Sequence, residues 1–402
     1  MIRVTRFVRV VAALALGTLG LVGSVSPSAA AGPWHLVGAP RVPGRIYGQP
    51  VCATPALCAV VYNERGRAGV LFSTNGGRSW RAAEVTGAPT GLEALACSSD
   101  SLCVAVGYRG SLETRSTMVL ERSSDGGRTF TPMALPATLA SGGRGDQLEA
   151  VACASSTSCV ATGQATTSTP PPTCTPPTCT SIASPVTYGF VVLETTDAGV
   201  TWTVSSSGNP YYSANGASCS TTGQCQVVGV GITNCTPTGS GSSRCGAAGA
   251  ALGPGPSGGS TTAWSPERLP RGVFALNGVT CPGATTCLAV GQSADSTLGH
   301  GVVLETTDAG ATWRALRPPV DSNSLMSISC LTMRTCFVTG GLGRGFEPVV
   351  YETTNAGASW HVVARFPGLS NLVRSTCTPS GFCLATGTVG FGPGEYGVLV
   401  TN

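Results

Sequence analysis

Short apolar runs alternate with short polar stretches along almost the whole chain. Runs such as VVLETT at residues 191–196 and LEALA at residues 92–96 mix apolar and polar side chains, and Gly, Ser, Thr, Asp and Asn separate them. This period and this punctuation predict β-strands joined by tight turns. The chain is therefore predicted to be an all-β protein.

One of the turns recurs in a fixed frame. Residues 193–202 read LETTDAGVTW and residues 304–313 read LETTDAGATW, and looser copies at 73–80, 123–130 and 353–360 keep the same Asp or Asn, Gly and aromatic positions. In such a turn the Asp or Asn oxygen accepts backbone amides, and Gly adopts positive φ without penalty. Because Asn replaces Asp in two copies, we interpret this residue as a structural acceptor rather than a catalytic carboxylate.

A second repeated phrase has a cysteine at each end and five residues between them. Seven copies begin at Cys52, Cys97, Cys153, Cys219, Cys281, Cys330 and Cys377. A short alternating run precedes most copies, and an apolar run that mostly ends in Gly follows each of them. Each copy therefore predicts a further hairpin.

The two phrases define a unit of four strands, which is repeated seven times. Seven such units predict a seven-bladed β-propeller of four-stranded antiparallel blades. The segment at Trp34 resembles the one after Trp360, and the chain stops on a third strand, so the N-terminal strand is predicted to complete the last blade and close the ring. In a single domain, 32–402, the blades are predicted at about 47–85, 91–134, 147–206, 212–268, 275–317, 324–366 and 371–402 plus 33–38.

The repeated turn and the hairpin units resemble the Asp-box (bacterial neuraminidase repeat) propellers. This group includes sialidases, xyloglucanases, sortilin-type receptors and the photosystem II assembly factor family. The resemblance covers nearly all of the mature chain and implies the fold. It implies less about function, because in this group the Asp box is a structural turn on the face away from the ligand site.

The first 31 residues are predicted to be a signal peptide. Arg3, Arg6 and Arg9 precede an apolar core, and small residues fit cleavage after Ala30 or Ala31. An uncleaved anchor is the alternative. No other stretch is long and apolar enough to span a bilayer, so we expect a secreted protein with no stable membrane span after cleavage.

The charge excludes some partners and chemistries. Removal of the three N-terminal arginines lowers the formal charge from +4 to +1, which is too little for a nucleic-acid binder. All 23 basic residues are arginine. The absence of lysine rules out Schiff-base catalysis on lysine and indicates a GC-rich bacterial genome.

The 18 cysteines of an exported chain predict disulfides rather than a metal site. Metal sites need closer spacings and histidines, and the chain has only three histidines. The predicted pairs are Cys52 with Cys58, Cys97 with Cys103, Cys153 with Cys159, Cys219 with Cys225, Cys281 with Cys287, Cys330 with Cys336, Cys377 with Cys383, Cys174 with Cys179 and Cys235 with Cys245. No sequence motif indicates a cofactor.

The strand order places the cysteine hairpins and Asp-type turns on one face, which we call the turn face. The loops between second and third strands and the linkers between blades form the opposite face, which we call the loop face. Its longest predicted loops, in blades 3 and 4, hold the last two cysteine pairs. Such loops often carry function, and the alternative is a solvated insertion held by disulfides.

Four polar residues occupy the same place in their blades, four positions before the first cysteine. They are Glu93, Glu149, Asn215 and Asn277, and we expect them to ring the mouth of the central channel. With Tyr108, Arg109 and Arg374 they form the predicted ligand-binding set. Alternatively, they are hydrated polar residues that line a wet channel.

The leading hypothesis is a non-catalytic propeller that binds a protein or glycan ligand through its loop face. The alternative is a sialidase-like glycoside hydrolase, with Glu93 and Glu149 as a carboxyl pair or Tyr396 beside Glu395 as a nucleophile. Sialidases have six blades and an Arg-Ile-Pro motif, whereas this chain has Arg45-Ile46-Tyr47. Xyloglucanases use two propellers and tryptophan platforms, and all six tryptophans here belong to blades.

Overall fold

Seven sheets follow one another along the chain and surround a central channel. The computed structural model describes residues 33–37, 44–98, 101–167, 187–208, 212–238, 242–254, 264–294 and 300–402. Each sheet contains the four antiparallel strands of one repeat unit, and the first strands of all seven sheets line the channel. The predicted seven-bladed β-propeller is therefore confirmed.

The strand bounds follow the cysteines, since six of the seven first strands end at the first cysteine of a hairpin. Blades 1 to 3 comprise Arg45–Cys52, Cys58–Glu64, Arg67–Ser73 and Arg81–Ala82; Gly91–Cys97, Cys103–Ser111, Arg115–Ser123 and Thr129–Pro132; and Gln147–Cys153, Cys159–Thr167, Thr187–Thr195 and Thr203–Gly208. Blades 4 and 5 comprise Tyr212–Cys219, Cys225–Thr238, Ser242–Pro254 and Trp264–Pro266; and Val273–Thr280, Cys287–Ser293, Gly301–Thr306 and Arg314–Leu316. Blades 6 and 7 comprise Ser322–Cys330, Cys336–Leu342, Glu347–Thr353 and His361–Arg365; and Asn371–Cys377, Cys383–Val389, Tyr396–Thr401 and His35–Leu36.

The N-terminal segment closes the ring, as predicted. His35–Leu36 pairs antiparallel with the third strand of blade 7, where His35 faces Thr401. Trp34 packs edge-on against Phe337, with ring centroids 5.9 Å apart. The first and last described segments of the chain therefore share one blade, so no sheet edge opens at the junction.

Two strands lie outside the predicted pattern. Glu84–Val85, in the linker after blade 1, pairs in parallel with Thr129–Phe130 and adds a fifth strand to blade 2. In blade 4 the second and third strands continue to Thr238 and Ser242, where the sequence analysis placed a long loop. That interpretation was wrong because the β-branched residues of this segment suit an extended backbone even between glycines and prolines.

The turn face repeats one arrangement in every blade. Seven disulfides close the hairpins as predicted. In five blades the Asp-type turn donates an amide to the carbonyl four residues after the first cysteine, for example Ala198 to Thr157 at 2.9 Å. The predicted Cys174–Cys179 pair lies outside the described residues, as do the side chains of Cys235 and Cys245.

The turn at Asp197 shows why its frame recurs. Thr195 Oγ1 donates to Asp197 Oδ1 at 2.8 Å, and Asp197 Oδ1 accepts the Thr201 amide at 2.9 Å. Gly199 has φ 77° and donates its amide to Thr195 Oγ1 at 3.0 Å. Asn355 makes the same bond to the Ser359 amide at 2.9 Å, so the residue acts as an acceptor whether or not it is charged.

Candidate functional site in the central channel

A β-bulge lies at the predicted ring position in six of the seven blades. In blades 2 to 7 the residue four positions before the first cysteine is the extra residue in the pairing of first and second strands. These bulged residues are Glu93, Glu149, Asn215, Asn277, Met326 and Val373. A bulge redirects one side chain without shifting the register of the rest of the strand. The leucine before it stays in the core, as at Leu92 and Leu148, which are fully buried.

The glycine that ends the second-strand run is explained by the same bulge. Gly163 pairs with Leu148, the residue before the bulge, and the two backbones approach closely. A Cβ at Gly163 would lie 2.7 Å from the Leu148 Cα and would also overlap the Gln147 carbonyl oxygen. The repeated glycine is therefore a packing requirement of the channel wall.

Three of the four predicted ring residues hydrogen-bond the next blade. Glu149 Oε2 accepts the Ala214 amide at 2.6 Å, Asn215 Nδ2 donates to the Leu276 carbonyl at 2.9 Å, and Asn277 Nδ2 donates to the Leu325 carbonyl at 2.9 Å. The partner in each case is the residue just before the bulge of the next blade. Blade 1 has Gly48 at the ring position, which has no side chain to bond the next blade. Asn63, on the second strand of blade 1, bonds the backbone of Leu92 in blade 2 instead.

Glu93 is the exception in this ring. Among the described residues no hydrogen bond joins its carboxylate to blade 3, and its main electrostatic partner is Arg374. Burial raises the pKa of Glu93, and the Arg374 charge partly opposes that rise. Arg374 reaches back across blade 6 and donates Nη1 to the Asn277 carbonyl at 2.8 Å. Glu93, Glu149, Asn215 and Arg374 line one cavity, whereas Asn277 is not among the residues that line it and meets Arg374 through its backbone carbonyl.

The space inside the ring is small. The cavity has a volume of about 40 Å³ and is lined by residues of the first strands, among them Glu93 and Arg374. A buried water needs at least about 10–15 Å³, and drug-sized ligands occupy about 300–1,000 Å³. The channel has room for a few waters but not for a sugar ring.

Glu149 has a raised pKa, as a general acid would, but the cavity beside it is too small to admit a sugar. Burial raises the pKa of Glu149 to about 7, the Glu93 charge adds to the rise, and bonds from Ala214 and Gln147 oppose it. Gln147 Nε2 donates to Oε1 at 2.8 Å, so protein donors engage both carboxylate oxygens. This arrangement stabilises the junction of blades 3 and 4.

The other predicted site residues lie apart from the cavity. Tyr108 is half-buried against Gly91, and burial together with the Glu93 charge raises its pKa. Arg109 is exposed and donates to the Gly87 carbonyl. Tyr396 packs in the core between blades 6 and 7, and Glu395 follows the 3₁₀ turn Gly392–Gly394. The described part of the structure does not join Tyr396 or Glu395 to the channel ring.

Sequence reasoning missed a buried carboxyl outside the channel. Glu121 is fully buried, at the position where four other blades have Leu71, Leu193, Leu304 and Tyr351. Burial raises its pKa to about 7, and the Arg109 charge and the Gly87 amide partly oppose the rise. Arg109 donates to the Gly87 carbonyl beside this carboxyl, but among the described residues neither carboxylate oxygen of Glu121 has a hydrogen-bond partner. An alignment of the internal copies would have revealed the exchange of Leu for Glu.

Two larger grooves lie on the turn face. One, of about 570 Å³, lies between blades 7 and 1 near His35 and Arg78. The other, of about 510 Å³, lies between blades 4 and 5 beside Glu267, whose Oε2 accepts Trp313 Nε1 at 2.7 Å. Burial raises the pKa of Glu267 to about 7.

Two features are absent from the described residues. No group of three or more His, Cys, Asp or Glu side chains is placed to hold a metal ion. No helix there has the length and apolar character needed to cross a membrane.

No protein-family model and no curated protein matches the chain. Among solved structures it is similar to "YCF48 bound to D1 peptide", with a TM-score of 0.55 and 12% identity over 93% of this chain and 96% of that chain. The chain is also similar to a GH74 xyloglucanase from Xanthomonas campestris, with a TM-score of 0.52 and 14% identity over 89% of this chain and 53% of that chain. For Trypanosoma rangeli sialidase the TM-score is 0.44 and the identity 12%, over 80% of this chain and 56% of that chain. Identities this low show the fold alone. The xyloglucanase is one of the propeller types that the repeated phrases resemble.

Proposed function

We propose that the chain is a secreted, disulfide-stabilised propeller that binds a protein or glycan ligand through its loop face without catalysis. The observation that carries the non-catalytic part is the cavity of about 40 Å³ inside the ring. A sugar does not fit there. The ring side chains that the glycosidase hypothesis needs are also structural, since both oxygens of Glu149 bond to protein groups.

The loop face offers a surface suited to a larger ligand. Arg65 and Arg67 are exposed at the turn between the second and third strands of blade 1, and Tyr108 lies half-buried on the second strand of blade 2. Arginine and tyrosine are enriched at the anchor points of protein interfaces. The structure of YCF48 with a D1 peptide gives a propeller of similar fold that holds a peptide.

Secretion is part of the proposal and is supported by the cysteines. Seven disulfides persist only in an oxidising compartment for an ordinary mesophilic protein. The basic and then apolar N-terminal segment supplies the export signal.

A glycosidase is the second candidate, and one observation favours it. Glu93 and Glu149 interact electrostatically in the channel, and the pKa of Glu149 is raised to about 7. Glycoside hydrolysis usually requires two carboxyl groups, one as the acid and one as the base or nucleophile. This candidate requires the channel mouth to open by several times its present volume.

The test compares ligand binding and turnover in the oxidised protein. Glycan and peptide arrays would be probed with the wild type, with Arg65→Ala/Arg67→Ala/Tyr108→Ala on the loop face, and with Arg78→Ala/Arg334→Ala on the turn face as the matched control. We expect binding that the loop-face variant weakens by about tenfold or more. The turn-face control should bind like the wild type.

Turnover is measured on the same preparations with fluorogenic glycosides, sialosides and xyloglucan. We expect none. Hydrolysis that Glu93→Gln abolishes would replace the proposal with the glycosidase, and binding that only the turn-face variant loses would place the ligand in the grooves instead.

A further inference from the structure

We propose that the loop face of blades 5 to 7 docks on an anionic phospholipid surface. Two independent features carry this inference: apolar side chains at the tips of this face, and exposed arginines around them. The inference does not depend on the ligand proposed above, because it concerns a different sector of the loop face.

Apolar tips occur at three successive places on this face. Val320, in the linker between blades 5 and 6, is 70% exposed; Phe346, in the second-to-third strand turn of blade 6, is 44% exposed; and Phe391, in the corresponding turn of blade 7, is 85% exposed. Exposed apolar residues are ordinary when they are scattered, but a set on one face marks an interaction surface.

The tips are fixed by the backbone rather than loosely attached. The Gly343 amide donates to the Asp321 carbonyl at 2.9 Å, which joins the linker of Val320 to the turn of Phe346. Ser370 Oγ donates to the Gly390 carbonyl at 2.9 Å and so ties the turn of Phe391 to the linker before blade 7. Phe346 itself has φ 52°, an unfavourable conformation for an aromatic residue. The fold therefore holds these side chains outward.

Exposed arginines lie in the same sector of the loop face. They are Arg271, Arg317 and Arg344, in the linkers and turn of blades 5 and 6. Asp321 is an exposed acidic residue there and Glu395 a half-exposed one, whereas Glu347 is paired with Arg365 at 2.7 Å. Arginines attract anionic headgroups, and aromatic tips insert at the boundary with the acyl chains.

The exposure favours a lipid surface over a bound peptide. A peptide anchor site is concave and desolvated, whereas Val320 and Phe391 stand out from the surface at 70% and 85% exposure. The tips belong to neighbouring blades on one face, so one extended surface such as a membrane is a better match to them than a narrow peptide.

The experiment is co-sedimentation of the full oxidised protein with vesicles. One set contains phosphatidylcholine alone, and the other contains equal parts of phosphatidylcholine and phosphatidylglycerol. We expect binding to the anionic vesicles and a loss of about tenfold or more in partitioning for Phe346→Ser/Phe391→Ser. Arg317→Gln/Arg344→Gln should weaken binding to the anionic vesicles only, and added salt should have the same effect. Val200→Ser/Met333→Ser, at exposed apolar positions of the turn face, is the matched control.

Four results would overturn the proposal. They are no binding to either vesicle type, equal binding to both vesicle types, wild-type binding by the Phe346→Ser/Phe391→Ser variant, and loss of binding in the turn-face control. Failure of vesicle binding together with a tip-dependent signal on the peptide array would assign the tips to a protein partner. Array binding that depends on Arg65, Arg67 and Tyr108 would still test the proposed function separately.

Discussion

The two faces of the propeller obey different rules. On the turn face, seven disulfides and five turns repeat one geometry, down to the amide that each turn donates to its hairpin. On the loop face, the second-to-third strand turn carries Arg65 in blade 1, Phe346 in blade 6 and Phe391 in blade 7. The same four-stranded blade thus carries loops of different length with unrelated side chains. The difference teaches that the repeated phrases specify the fold, and that the departures from repetition are where function should be sought.

Among the tests of this comparison, reduction of the hairpin disulfides on the turn face should have the largest effect on the stability of the protein. Each bridge limits the unfolded chain and contributes about 2 kcal/mol. Summed over seven bridges, this is comparable with the whole stability of a domain, about 5–15 kcal/mol. We expect the fully reduced protein to unfold and Cys97→Ala/Cys103→Ala to lose about 2 kcal/mol in urea unfolding. A reduced protein with an unchanged unfolding midpoint would show that the turn face does not depend on its bridges.

The glycine opposite the bulge should be the most sensitive single position of the channel wall. Gly163→Ala places a Cβ 2.7 Å from the Leu148 Cα, and we expect a loss of about 3 kcal/mol in the free energy of unfolding. Gly345→Ala on the loop face is the control, because nothing lies within 4 Å of the new Cβ. Equal stability of the two variants would contradict the packing role of the repeated glycine.

The buried carboxyl of blade 2 gives a prediction with a pH signature. The pKa of Glu121 is raised to about 7, so the folded state keeps a proton that the unfolded state loses above about pH 4.5. Stability should therefore fall as the pH rises from about 5 to 7, and then level off. Glu121→Leu, which restores the residue of blades 1, 3 and 5, should be more stable by about 2 kcal/mol at pH 8 and by less at pH 5.

The measurement is urea unfolding of wild type and Glu121→Leu at both pH values. Both proteins keep a pH dependence from Glu149 and Glu267, whose pKa values are also raised to about 7, so the difference in stability between the two proteins is the informative quantity. A Glu121→Leu variant that is less stable than wild type at pH 8 would assign the carboxyl an essential bond to the blade 1 linker.

Removal of the acceptor side chain from an Asp-type turn should have a smaller effect on stability. Asn355→Ala removes the bond from the Ser359 amide, and we expect a loss of about 1 kcal/mol. Asn355→Asp keeps the acceptor and should change the stability by less than about 0.5 kcal/mol. Thermal unfolding of both variants distinguishes an acceptor requirement from a requirement for the neutral amide. A large loss in Asn355→Asp would indicate the latter.

The sequence predicted the repeated parts of the molecule well and the contacts between blades poorly. The five-residue spacing of the cysteines and the frame around Asp197 predict local hairpins. The number of repeats of the cysteine hairpin then gives the number of blades. The ring position was also readable, because Glu93 and Glu149 share one offset from a cysteine. The hydrogen-bond partners of the ring residues could not be predicted, since the bond from the Ala214 amide to Glu149 depends on how one blade packs on the next.

Other features could not be read because they break the repeat. The fifth strand Glu84–Val85 lies in a linker with no strand pattern, and Arg374 reaches Asn277 across an intervening blade. The Leu-to-Glu exchange at Glu121 was readable from an alignment of the internal copies, but its proximity to Gly87 and Arg109 was not. Each of these contacts joins elements distant in sequence, and periodicity carries no information about such pairs.

The most direct test of the central claim is the hydrogen–deuterium exchange footprint of the glycan or peptide that binds the arrays most strongly. We predict protection at the loop-face turns between second and third strands of blades 1 and 2, with no change in the channel-lining strands Gly91–Cys97 and Gln147–Cys153. Protection of those two strands together with product formation would contradict the account and identify the channel as an active site.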